Sequence, residues 1–575
     1  MFDLFYKKNN NEKLFAYLEK SGFKYTQNYI PLFSTFFSID DKNYNSINLN
    51  HSWYISSIVD RETNNKFTIK CKNINDNKNI QKKQAFFKFS PLLDPIKFLV
   101  GKYKNLDEKI RISLPKTQNN CCHSKVLDTN NAAYVDSFFS YLTSKLLNEK
   151  KFIHGTDFYG SFLSVQNKFK VNIYDDLEYL YDSDFFHKNK NILFNTDDVD
   201  EGKLLDNDTR NYRKKIKLEK SLNNLKVQKI DNSIFENIFE LTSENLRKHD
   251  ESLKEEYSNT NVLKNRNKKN INTNKSTKRT SSTCSSRSSN TNGSSNSDQS
   301  AKLSDKSCTN SDMSGYSSIN SDEVVNTDIF NFPIQIICLE QMENTLDSLL
   351  EDEDKELSNG EWSSCLFQII MILITYQKIF DFTHNDLHTN NIMYIETNRM
   401  YINYNYNNTY YRVPTYGKIY KIIDFGRSIY KFKGKIICSD SYHPKGDAAT
   451  QYNFEPYFNE NKPRLNPNKS FDLCRLACSL YDYFAEDIIE NTKDPIAKLI
   501  IEWTKDDKDR NILYKNNGEE RYPDFKLYKM IVRTVHNHIP EKQLKKEIFK
   551  KYISSKRKIK NGKIINIDIM ESMIN

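Results

Sequence analysis

Glycine and proline are scarce in this chain, at 14 and 13 among 575 residues. Ahead of residue 88 there is a single glycine, Gly22, and no Gly-x-Gly. Backbone amides approach phosphate closely only where side chains permit it. A glycine-rich phosphate cradle is therefore missing from this stretch. Paired cysteines are lacking as well. The ten cysteines are irregularly spaced, and Cys121-Cys122-His123 has no second ligand pair nearby. Zinc needs four ligands, usually as two close pairs, so no metal is expected there. No secretory leader shows, because Met1-Phe2-Asp3-Leu4-Phe5-Tyr6-Lys7-Lys8 runs at once into an Asn/Lys stretch. The apolar run 365–380 carries Gln368, Thr375, Gln377 and Lys378 and reads as too short and polar to span a bilayer. No membrane partner is expected, and a reducing intracellular compartment follows. The formal charge of +10 is modest for the length. It permits weak attraction to nucleic acid without requiring it.

Aromatic residues are plentiful, at 13% against 37% hydrophobic overall, so a substantial core is within reach. The length suits one large domain or two to three ordinary ones. Residues 1–50 are mixed and read as an N-terminal extension. Runs at 53–59, 66–71 and 84–89, separated by polar breaks, predict an antiparallel meander. Apolar residues recur at helical spacing over 132–147, and strand-like alternation returns at 158–173. Residues 201–330 are basic and then Ser/Asn-rich, with hardly a large apolar side chain over 257–327. Such a segment cannot offset its ordering entropy, which predicts a disordered insertion. Order resumes with a buried-strand pattern at 332–339, a helix from 345 and an apolar helix at 362–380. Short strands at 392–395 and 418–425 flank a Tyr/Asn-rich excursion. Helices are predicted at 471–484, 495–503, 525–536 and 541–552, followed by a basic tail at 554–575.

Chemistry concentrates in two segments. One is His384-Asn385-Asp386-Leu387-His388-Thr389-Asn390-Asn391; the other is Asp424-Phe425-Gly426. An acid, an amide five residues on and a second acid at a strand end suit magnesium-dependent phosphoryl transfer. That reaction needs one carboxylate to orient the attacking hydroxyl, here Asp386. It also needs oxygen ligands for the metal, here Asn391 and Asp424. The pattern resembles the protein kinase-like superfamily. The resemblance implies an α+β, two-lobed fold with a small antiparallel-sheet N-lobe (51–200), a last strand and hinge (331–343) and a helical C-lobe (344–553). The phrases Phe86-Phe87-Lys88-Phe89-Ser90-Pro91-Leu92-Leu93-Asp94-Pro95, Thr383-His384-Asn385-Asp386 and Gly446-Asp447-Ala448-Ala449-Thr450-Gln451-Tyr452-Asn453 look like those of uncharacterised kinase-like proteins of giant DNA viruses. A viral origin places the chain in host cytoplasm, with virion and nucleus as the other locations.

The family implies roles position by position. Asp386 accepts the substrate proton, and Asn391 and Asp424 hold magnesium. Lys88 pairs with the ATP phosphates, with Lys70 as a competing candidate. Asp136, on the helix that follows, partners the lysine, where the family usually has Glu. Main-chain groups of Glu340 and Met342 meet the adenine, and Asp472 tethers the catalytic loop. The implied activity is ATP- and magnesium-dependent phosphorylation of Ser or Thr hydroxyls on a protein substrate. The chain departs from the family in its missing glycine loop, in Asn385 where regulated kinases carry Arg, and in His388 where Ser/Thr kinases carry Lys. The first departure keeps open a pseudokinase scaffold, and the last a small-molecule kinase. Basic clusters at 210–217 and 556–560 are the only features suited to nucleic acid, and such runs are more often solvated faces.

Overall fold

Alternating apolar and polar side chains set the first part of the chain as strands. The computed structural model describes residues 2–197, 325–350, 356–484, 494–559 and 563–575, apart from Asp3, Asp41, Asn50 and 118–120. These form a mixed α+β structure, an antiparallel sheet followed by a region of helices and smaller sheets. The sheet contains β1 (Phe23–Gln27), β2 (Trp53–Arg61), β3 (Lys66–Asn73), β4 (Ile80–Pro91), β5 (Phe158–Asn172), β6 (Phe194–Thr196) and β7 (Asn326–Glu340). Their order is β1-β5-β7-β4-β3-β2, with β6 also on β7. Every pairing is antiparallel. β2, β3 and β4 make the expected meander. β7 is central and its Phe332–Leu339 stretch is buried throughout, the mark of a strand covered on both faces. Its register sets Ile337 against Lys88 and Glu340 against Ala85.

Two boundaries move. Residues ahead of 51 belong to the same packing unit: β1 pairs with β5, Phe23 lies 5.3 Å from Phe89, and Phe15 lies 5.5 Å from Phe162. β7 begins at Asn326, inside the stretch assigned to the insertion, because Thr327 and Ile329 alternate inward against Val171 and Phe169. The rest of that insertion, with the 210–217 basic cluster, lies outside the described residues.

Helix α1 (Ala132–Lys150) starts where Asn131 accepts the Ala133 N–H and ends at Lys151 with φ +58°. Residues 133–146 are all buried, so α1 is a core helix rather than a surface one. Its Phe139 ring lies 4.4 Å from Phe382 and 4.7 Å from Phe425, joining the sheet to the later chain. Helix α2 (Asn359–Phe380) opens on a capping box of Ser358 and Glu361. By length and composition it is long enough and apolar enough to cross a membrane, having started six residues before the run at 365–380. Here 94% of its most apolar window is buried inside the protein.

Helices α3 (Phe471–Leu480) and α4 (Lys526–Thr534) form within the expected ranges. The stretch at 541–552 breaks into two short turns, Pro540–Gln543 and Glu547–Lys550. The Tyr/Asn-rich excursion is a hairpin of Tyr401–Tyr406 and Thr409–Pro414. Ile553–Ser554 and Ile564–Asn566 complete its sheet. The stretch read as a basic tail is therefore partly interior, with Ile565, Ile567, Met570 and Met573 buried.

Candidate active site

The loop after α2 is shaped by one buried carboxylate. Asp472, in the first turn of α3, accepts the backbone N–H of His384 and of Asn385, each at 2.9 Å. Burial pushes its pKa up, while those two N–H groups pull the other way. His384 receives the Asp386 N–H at Nδ1 (3.3 Å), so its proton sits on Nε2, which donates to Ile423 O at 2.9 Å. Asn385 adopts φ +65°. Its amide donates to Thr383 O and Arg427 O and accepts the Tyr452 hydroxyl. Short polar side chains tolerate this left-handed conformation better than others.

Two antiparallel strands, Ile392–Glu396 and Lys418–Ile422, bring the second motif alongside the first. The Ile423 N–H donates to Asn391 O at 3.0 Å, so Asp424 emerges beside Asn391. Asp424 also takes a left-handed conformation, φ +62°.

Lys88 reaches this point from β4. Its Nζ lies 2.7 Å from Asp136 Oδ2 and 3.0 Å from Asp424 Oδ1. Burial opposes its charge, but the two carboxylates outweigh burial and hold its pKa above the ordinary lysine value. The other oxygen of Asp136 accepts the Phe425 N–H at 2.9 Å. Asp136 thus ties β4, α1 and the Asp424 segment together, and α1 lies close enough for the shorter acid to reach. Lys70 is exposed on β3 and joins no ion pair among the described residues. Glu340 is drawn elsewhere. Its N–H donates to Asp157 O (2.9 Å), and its carboxylate takes the Asp157 N–H and the buried Lys421 ammonium. Met342 follows with its side chain buried.

Asp386 is 2% exposed. Its Oδ1 accepts the Tyr528 hydroxyl of α4 at 2.7 Å, and that phenol oxygen receives Arg475 Nε at 3.0 Å. Its Oδ2 lies 3.9 Å from Arg427 Nε and has no hydrogen-bond partner. Arg427 in turn pairs with Asp447 at 2.5 Å. Asn391 donates its amide to Asp386 O (2.9 Å) and to His388 Nε2 (3.1 Å). His388 Nε2 is therefore the acceptor, and burial lowers that imidazole's pKa to about 4. Both Asp386 and Asp424 act electrostatically on His388. Tyr528, Arg427 and Arg475 carry no motif, and their place here is visible only in three dimensions.

No group of three or more His, Cys, Asp or Glu suited to a metal occurs among the described residues. The donor set still fits magnesium, which commonly takes one or two protein oxygens and fills its shell with phosphate and water. Asp424 offers a carboxylate, and Asn391, its amide nitrogen committed, offers the amide oxygen. The β2–β3 turn, Glu62-Thr63-Asn64-Asn65, is pinned level with this site: Asn65 exchanges two hydrogen bonds with Phe87, the residue before Lys88. No family model matches the chain, and no curated protein matches it.

Proposed function

We propose that this chain is an ATP- and magnesium-dependent phosphotransferase of the protein kinase-like kind, two-lobed about a hinge near Met342, acting on Ser or Thr hydroxyls of a protein substrate. One observation carries the reading. Lys88, Asp136 and Asp424, far apart in sequence, make one buried ion-pair cluster, and the Ile423 N–H to Asn391 O hydrogen bond helps join the Asp424 segment to the loop that holds Asp386 and Asn391. Bound ATP and magnesium supply the transferable phosphoryl group and the neutralisation of its charge. Asp386 orients the acceptor hydroxyl and takes its proton at Oδ2, the oxygen left without a hydrogen-bond partner. Lys88, fixed by Asp136, presents its ammonium to the phosphates. Asn391 and Asp424 would hold the metal. With the Glu340 N–H committed to Asp157, the Glu340 carbonyl and the main chain of Met342 are left to meet the adenine.

A scaffold reading has its own support, since Asp386 is almost fully covered and the β2–β3 turn has no glycine. A thermal-shift titration with ATP and magnesium separates the two. A ligand that binds only the folded state raises the melting temperature. A rise that saturates with ATP supports the transferase, and a flat response supports the scaffold.

A further inference from the structure

We infer that Tyr528 is a positioning residue of the proposed transfer: its phenol pins Oδ1 of Asp386 and so reserves Oδ2 for the acceptor hydroxyl. The inference rests on the phosphotransferase reading of the site. A carboxylate turns easily about its last bond, so an aspartate that must present one oxygen needs the other held. Tyr528 does this from α4, 142 residues away in sequence, at 2.7 Å. Its own oxygen is held by Arg475 Nε at 3.0 Å. Its ring is fixed between Phe525, 5.4 Å away, and Phe471, 5.9 Å away. The guanidinium of Arg475 lies 5.2 Å from the ring centroid and that of Arg427 5.8 Å.

The opposite side of the carboxylate is unsatisfied. Asp386 Oδ2 and Arg427 Nη1 are both buried without hydrogen-bond partners. Buried polar atoms in folded proteins are nearly always paired, and the exceptions call for an explanation. A hydroxyl that donates to Oδ2 and accepts from Arg427 completes both. The tyrosine's role is thus to choose which carboxylate oxygen works, while the acceptor meets the other.

The test uses the full-length chain. Tyr528→Phe is compared with wild type for label transfer from ATP to protein acceptors. In addition, 3-fluorotyrosine is installed at position 528 alone, and its fluorine resonance is read with Asp386 intact and as Asp386→Asn. The expected result is a fall in kcat of about 100-fold, the scale of loss for a misplaced reacting group, with KM for ATP and for acceptor unchanged. The fluorine resonance should move on Asp386→Asn. Unchanged or raised kcat in Tyr528→Phe overturns the inference, the latter making the tyrosine a plug. A loss confined to KM overturns it too. A fluorine signal indifferent to Asp386→Asn sinks the inference alone. A wild-type chain that transfers nothing, yet shows the fluorine response, sinks the transferase reading and leaves Tyr528 a structural tether.

Discussion

Lys88 sits between two carboxylates in a place where water does little screening, so the cost of removing it is specific. Breaking a buried ion pair from one side leaves charge uncompensated, at about 3–5 kcal/mol. Lys88→Met should lower unfolding stability by that order, while Lys70→Met, at an exposed lysine, should stay within about 0.5 kcal/mol of wild type. Urea unfolding of both variants checks this, and equal costs would contradict the assignment of Lys88. Asp472→Ala orphans two buried N–H groups, His384 and Asn385, at about 1–3 kcal/mol each. An Asp472→Ala chain as stable as wild type would remove Asp472 as the loop's anchor. Motif and spacing mark Asp386, Asn391 and Asp424 in the sequence, whereas Lys88, chosen over Lys70, and Asp136 rest on the kinase-like resemblance. The structure brings Lys88, Asp136 and Asp424 into one cluster. Tyr528 was legible in neither way. Helical periodicity places it on the inner face of α4, with Ile531 and Val532, but no pattern says which carboxylate it meets.

The elements were read well where one strong period ran unbroken, as in β2, β3, α1 and β5. They were misread where composition hid the pattern. The Tyr/Asn-rich excursion buries Ile402, Asn403, Tyr404 and Asn405 on one strand and Tyr411 and Val413 on the other, but its asparagines read as loop. The lysines at 556–560 masked a strand beyond them, Ile564–Asn566, whose partner is the Tyr401–Tyr406 strand of that excursion. Strand partners so distant cannot be inferred from local preference. The consequence is testable: deleting residues 553–575 removes two strands of that sheet and exposes the cavity left by Ile567, Met570 and Met573. Loss of three buried apolar side chains costs several kcal/mol, about 2–5 for each large residue. The truncated chain should melt far below wild type or fail to fold, and an unchanged melting temperature would show the segment to be dispensable.

Across the whole molecule, the sheet and the later chain are joined by buried polar contacts as well as by α1. His154 is one such link. Its Nδ1–H donates to Tyr420 O and its Nε2 accepts the Tyr404 hydroxyl, both at 2.7 Å, which requires the neutral ring. Burial lowers its pKa from the ordinary 6.5 to about 4. Between those values the unfolded chain binds a proton that the folded chain does not, so this contribution is complete above about pH 6.5 and is lost as pH falls toward 4. His154→Asn keeps a donor for Tyr420 and cannot titrate. The pH dependence of its unfolding free energy should be shallower than wild type by up to about 1.4 kcal/mol per pH unit across this window. Identical slopes would mean that His154 is not held neutral.

The central claim is that Lys88, Asp386, Asn391 and Asp424 form one phosphoryl-transfer site. The most direct measurement is transfer of γ-labelled phosphate from ATP with magnesium to a mixed set of protein acceptors, by wild type and by Asp386→Asn. The expected result is label on Ser and Thr with the wild type and none above background with Asp386→Asn, while the variant still binds ATP. Equal labelling by the two chains would remove Asp386 from the chemistry and contradict the account.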